Sequence, residues 1–261
     1  MISEKIGIIG GTGWLGGSIA RAVLAKALLP AENLVISNRS GDHPLARHGV
    51  CLVTDNQKLV DHSDLLIIAV RPEHFATVNI NATGKTIVSL MAGITAQAIV
   101  AQTSASAVVR AMPNAAVEIE QSFTPWYCFG EVDASLKNLV QRMFECVGTA
   151  AEVQEEGYID YLSALSGTGP AFPALLMTAL AHQAIIAGIP ADIAQLAAKN
   201  VVVHSSQLLA TRDAQEMIDA LVAYRGVTAA ALQSMTLGHF EEQIGRALQK
   251  GASVARKGLQ S

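Results

Sequence analysis

No segment limits the fold of this chain more sharply than Ile6-Gly7-Ile8-Ile9-Gly10-Gly11-Thr12-Gly13-Trp14-Leu15-Gly16. A short β-branched run turns through spaced glycines into residues 14–27, where apolar side chains recur at helical spacing. Gly11, Gly13 and Gly16 form a GxGxxG. The first glycine permits a tight turn, the second lets backbone approach a pyrophosphate, and the third lets helix and strand pack closely. The amides of Thr12, Trp14 and Leu15 then face the same anion from the turn and the helix start. This is the opening of a Rossmann unit; the other reading is a tight βα turn with no ligand.

Further β-branched runs at 33–37, 65–70, 86–90, 107–112 and 150–153 follow the first strand at 5–9, with helix-like segments between them. The alternation predicts a doubly wound parallel sheet. After residue 154 the strand signal stops, and alanine- and leucine-rich helices continue with breaks at 188–190, near 211–213 and at Gly226. We therefore expect an α/β, Rossmann-like nucleotide-binding domain over 1–153 and an all-helical dimerisation domain over 154–261. The chain's 261 residues suffice for two cores.

Residues 161–191 contain no Asp, Glu, Lys or Arg. Gly167, Gly169, Pro170, Pro173, His182 and Gln183 interrupt the stretch, so it reads as a helix buried between subunits rather than as a membrane span. Charged residues are 15% of the chain against 51% apolar, too few to cover a monomer's surface comfortably. A net charge of −4 provides no basic footprint for nucleic acid or an anionic membrane. Cys51, Cys128 and Cys146 are widely spaced and are expected to be buried apolar residues; neither they nor the histidines have metal-ligand spacing. The start of the sequence has no signal-peptide pattern, so a cytoplasmic location is expected.

The remaining motifs sit at strand ends. Ser37-Asn38-Arg39-Ser40 places an arginine with amide and hydroxyl donors where an NAD-selective domain would offer an acid, which suits the 2′-phosphate of NADP. Ala69-Val70-Arg71-Pro72 and Met91-Ala92-Gly93-Ile94-Thr95 close two more strands at the sheet edge where such folds bind ligands. Arg110-Ala111-Met112-Pro113-Asn114 adds an asparagine that either contacts the nicotinamide end of the cofactor or satisfies its own turn.

In order and spacing these motifs resemble the pyrroline-5-carboxylate reductase family. Ala164-Leu165-Ser166-Gly167-Thr168-Gly169-Pro170-Ala171-Phe172 is similar to that family's A-L-S-G-S-G-P-A-Y at the start of a long interface helix. The resemblance covers almost the whole chain. It implies NADPH-dependent reduction of a cyclic imine carboxylate, with pyrroline-5-carboxylate to L-proline first in line, in a dimer or a multiple of dimers. It also assigns Ser166 and Thr168 to the wall near the nicotinamide. The departure lies in the family's S-P-G-G-[TA]-T-x-x-A-L, which here is Ala223-Tyr224-Arg225-Gly226-Val227-Thr228-Ala229-Ala230-Ala231-Leu232. The resemblance implies that the amides of Gly226, Val227 and Thr228 hold the substrate carboxylate and that the Thr228 hydroxyl bonds the ring nitrogen. Arg225 either pairs with that carboxylate, blocks it, or only caps the turn. The glycine turn that often follows M-P-N-x-x in the family is replaced by residues 118–122. A paralogue acting on another imine and a non-catalytic nucleotide-binding scaffold are the competing readings.

Cofactor choice gives the first test. NADPH should bind more tightly than NADH, and Arg39→Ala should remove most of the preference, a loss on the order of 1.5–3 kcal/mol for a charge-assisted phosphate contact. Fluorescence titration with both nucleotides measures it, and equal affinities in the unmutated protein would refute it.

Overall fold

The computed structural model describes residues 4–38 and 44–257. Four strands, β1 (Ile6–Ile9), β2 (Leu34–Ser37), β4 (Leu65–Ile68) and β5 (Thr86–Ser89), are buried at every position, as is a fifth at Ala107–Ala111. Near-continuous aliphatic sequence of this kind belongs to parallel strands covered on both faces. With β3 (Cys51–Val53), β6 (Ala107–Ala111), β7 (Ser122–Phe129) and β8 (Gly148–Glu152) they form one sheet in the order β3-β2-β1-β4-β5-β6-β7-β8. All neighbours are parallel except β6 and β7. Strand order reverses between β1 and β4, which opens a crevice at their carboxyl ends.

Helices close both faces. On one, α1 (Trp14–Ala25) and α4 (Ala134–Glu145) contribute Ile19, Val23, Met143 and Phe144 to a core shared with Ile8, Ile36 and Ile67. On the other, α2 (Asn56–Asp61) and α3 (Ala96–Thr103) add Leu59 and Ile99 to Ile9, Ile68 and Phe75. Five of the six strands expected from sequence are one or two residues shorter than their apolar runs, and the last begins two residues earlier. α1 stops at Ala25 because Ala27 turns left-handed at φ 50°. Two strands were not anticipated. β3 is a three-residue edge, and β7 carries Pro125, which demotes a run in any pattern reading.

Grouping by contact in space divides the chain after residue 169 and again before residue 248: residues 1–169 and 248–261 form one unit and 170–247 the other. The first unit includes α5 (Glu156–Leu162), which is tied to the sheet through two ion pairs of Arg110 on β6. In the second unit α6 (Ala171–Ile186) packs on α7 (Ala191–Lys199), and α8 (Ala214–Ala223) on α9 (Val227–Leu237). The unit also holds the start of α10 (Phe240–Lys257). No residue of α6 is buried, and Leu175, Ile186 and Leu196 are 69%, 65% and 65% exposed. By length and composition the helical run Glu156–Ile186 is apolar enough to cross a bilayer. Its middle, however, is a π-helical turn, Ser163–Gly167, followed by Gly169 at φ 50° and Pro170.

The cysteines divide. Cys146 is buried and Cys128 half-buried, but Cys51 is exposed because edge strand β3 has no neighbour on its outer side, which corrects the expectation of burial. Burial pushes the Cys128 thiol up to about 11, with Lys137 opposing the shift. At pH 8 about one in a thousand Cys128 side chains is thiolate, the reactive form. Iodoacetamide should therefore label Cys51 first and leave Cys128 and Cys146 largely unmodified, as peptide mass spectrometry would record. Labelling of Cys128 at the Cys51 rate would contradict this.

Candidate active site

The first turn of α1 is held against the sheet at a distance only glycine permits. A Cβ on Gly16 would lie 2.7 Å from the Gly10 carbonyl oxygen and 3.0 Å from the Ala69 Cβ; on Gly11 it would lie 2.7 Å from Ile36. Gly10 itself is at φ 82°, and the Gly13 amide donates back to its carbonyl at 2.9 Å. α2, α3, α4 and α8 each begin with a side chain that accepts from the first-turn amides. α1 begins on Gly13 with no such cap and has no acid in its first turn. Its open amides and the positive end of its dipole thus face the crevice.

The crevice is a cleft of about 550 Å³ bounded by Gly10, Gly13, Asn38, Ala69, Val70 and Arg71, all expected from sequence except Gly10. Leu15 is packed beside the core, whereas Trp14 is 53% exposed and donates its indole N–H to Glu118 at 2.6 Å. Four polar residues of the same wall were missed: Thr54, Asn56, His74 and Thr77. The Ser37 hydroxyl donates to Asn56 Oδ1 at 2.6 Å, and the Asn38 amide donates to the Val53 carbonyl, so the end of β2 is braced against its neighbours. The short strand β3 brings Thr54 there, which explains why no motif announced it. Arg39 and Ser40 lie outside the described residues.

A second cluster forms at the ends of β5 and β6. Ala92 and Gly93 (φ 75°) turn into α3, which Thr95 caps. Asn114 is buried and makes three ties: its backbone N–H donates to Ser122 Oγ at 3.0 Å, its Oδ1 accepts from the Ala116 amide at 2.8 Å, and its Nδ2 donates to the Ser166 carbonyl at 2.9 Å. The Ser166 and Thr168 hydroxyls donate back to the Leu162 and Ala164 carbonyls at 3.0 and 3.1 Å. They stay available only as acceptors. A π turn is costly to keep and often marks a functional position in a helix.

A family model for pyrroline-5-carboxylate reductase dimerisation matches residues 156–258, and one described as NADP oxidoreductase coenzyme F420-dependent matches residues 5–93. The pyrroline-5-carboxylate reductase of Synechocystis sp. is 29% identical over 215 residues, 80% of each chain. The solved structure of a pyrroline-5-carboxylate reductase from Coxiella burnetii superposes with TM-score 0.85 at 26% identity, covering 98% of both chains. That from Streptococcus pyogenes gives 0.79 at 27%, covering 97% of this chain and 98% of the other. Along most of its length the chain is similar to pyrroline-5-carboxylate reductases.

Against the family's S-P-G-G pattern, the start of α9 is informative. Gly226 adopts φ 101° and ψ −151°, a conformation essentially restricted to glycine, and α9 follows with no side-chain cap. Arg225, where the family has its other glycine, keeps the left-handed backbone at φ 61°. Tyr224 and Val227 are each 89% exposed, and Thr228 is exposed in the second position of α9. These residues belong to the second compact unit. Sequence reasoning also passed over Arg110, Glu156 and Asp160. A cation inside a β-branched strand and two acids spaced i, i+4 just before an uncharged stretch were the available signal.

Asn114→Ala would strand the Ala116 amide and release Ser166. The expected cost is about 1–3 kcal/mol of unfolding free energy, measurable by urea denaturation. A loss below about 0.5 kcal/mol, the range of neutral surface changes, would show that these ties do not hold the turn.

Proposed function

We propose that the protein reduces a cyclic imine carboxylate, foremost 1-pyrroline-5-carboxylate to L-proline, using NADPH. The observation that carries the reading is the cleft at the β1–β4 switch point, entered by the uncapped, acid-free N-terminus of α1. Its residues fit a dinucleotide. The amides of Gly11–Gly16 hold the pyrophosphate, Asn38, Arg39 and Ser40 hold the 2′-phosphate, and Ala69, Val70, Arg71, Ala92, Gly93 and Asn114 line the path to the nicotinamide. When bound, the reduced nicotinamide supplies a hydride to the carbon of the C=N bond.

The protein's part is orientation, because a protonated imine is already a good electrophile. The amides of Gly226, Val227 and Thr228 hold the carboxylate at the open end of α9, as its unpaired N–H groups and dipole favour. The Thr228 hydroxyl hydrogen-bonds the ring nitrogen, which becomes a secondary amine, while Ser166 and Thr168 shape the wall. Residues 1–153 act as the nucleotide domain and 154–261 as the dimerisation and substrate domain. The exposed apolar faces of α6 and α7 are covered in a dimer or a multiple of dimers, and the enzyme works in the cytoplasm. No nucleic acid or membrane takes part.

Arg225 favours a second reading, in which a paralogue has been redirected to another imine. The experiment is steady-state kinetics with a panel of cyclic imines and either nucleotide, beside direct NADPH titration. Thr228→Ala should lower kcat by about tenfold, roughly 1.4 kcal/mol of transition-state stabilisation, without changing NADPH affinity. If pyrroline-5-carboxylate is the substrate, Arg225→Gly should raise its KM; if another imine is, the same change should impair that activity and raise any trace turnover of pyrroline-5-carboxylate. No imine reduced with either nucleotide would overturn the proposal.

A further inference from the structure

We propose that Arg110 is a positioning residue that locks together the three segments forming the reacting end of the site. The inference rests on the functional reading above. Arg110 is 2% exposed, on an interior strand of the sheet. Its guanidinium forks onto α5, with Nη1 donating to Glu156 Oε1 at 2.9 Å and Nη2 to Asp160 Oδ1 at 3.0 Å. The same Glu156 oxygen accepts the Ala96 amide at 2.8 Å, at the first residue of α3. One cation thereby fixes α5 against both β6 and the turn that carries Ala92 and Gly93.

The connection closes on itself. Four residues beyond Arg110, Asn114 donates to the Ser166 carbonyl in the π turn that follows α5. Packing adds to it: Gly167 faces Met112, Gly169 faces Asn114, and Gly251 of α10 leaves room for Ala164, where a Cβ would come within 2.7 Å. β6, the Asn114 turn, the π turn and α5 therefore form a ring whose opposite corners are Arg110 and Asn114. The Arg110 Nε has no hydrogen-bond partner among the described residues. Two carboxylates on one buried cation, with a donor left unpaired, are poor stabilisers compared with apolar packing. What the arrangement supplies is register among segments that sequence separates by up to 50 residues.

The test uses the full-length protein with no nucleotide added, then the same variants in turnover. In Arg110→Lys, which keeps charge but loses the fork, and in the near-isosteric Glu156→Gln, peptides covering 92–98, 112–118 and 163–169 should exchange amide hydrogen about tenfold faster, with β1 and β2 peptides unchanged, as expected when a local tie is lost. With NADPH and imine, kcat should fall about tenfold or more while NADPH Kd stays within about threefold, the split expected from misplacing a reacting end. Glu156→Gln keeps the test decisive if Arg110→Lys does not fold. Exchange unchanged in the three segments, or faster uniformly through the sheet, would overturn the proposal. If the unmutated protein reduces no imine, the functional reading falls, while the exchange pattern still decides for or against Arg110.

Discussion

Everything at the nucleotide end depends on how closely α1 approaches the ends of β1 and β4. The 2.7 Å from a hypothetical Gly16 Cβ to the Gly10 carbonyl shows that even one methyl group would push the helix off the sheet. Such a shift would carry the open amides of α1 away from the switch point and part the Ala69–Arg71 wall from the Gly10 turn. A similar intimacy holds near the amino end of β1, where a Gly7 Cβ would meet Leu59 and Ser63 of the opposite face at 2.4 Å. β1 is thus clasped from both sides, and its carboxyl end is a fixed platform.

Charge is distributed to match. Among the described charged residues only Arg110, with its partners beside it, is almost wholly buried; the other ion pairs are exposed or half-exposed. α1 has no acid in its first turn, while acids cap α2, α4 and α8. A carboxylate at Gly13 would satisfy the amides of α1 and repel a phosphate. The uncapped helix start is therefore less stable than it could be in isolation, and a bound anion removes that deficit.

The glycine motif, the buried strands and the helix breaks were legible because each acts through neighbours in sequence. Gly11, Gly13 and Gly16 decide one turn, and Ile6–Ile9 or Leu65–Ile68 decide one strand by burial on both faces. β3 and β7 were not legible, since the first is too short to show a period and the second tolerates Pro125 only through partners far away in the chain. The Arg110 fork spans 46 and 50 residues, and the polar wall of Thr54 and Asn56 arrives by way of β3. Pairings of that kind have no period and no local cap to reveal them.

Two departures from the pattern of the similar reductases put side chains on left-handed backbone. Glu120, within the replaced glycine turn, and Arg225, in place of a family glycine, both sit left-handed, at φ 56° and 61°. Holding a residue with a Cβ there costs about 1–2 kcal/mol. At the first site side-chain contacts offset the strain, for Glu120 pairs with Lys26 at 2.8 Å and neighbouring Glu118 accepts the Trp14 indole at 2.6 Å, both tying the turn to α1. Arg225 has no such return, being exposed and without an ion pair among the described residues. Its backbone N–H instead donates to the Val222 carbonyl at 3.2 Å, and its cation directly follows the carboxyl end of α8, where the left-handed turn closes the helix and the dipole favours positive charge.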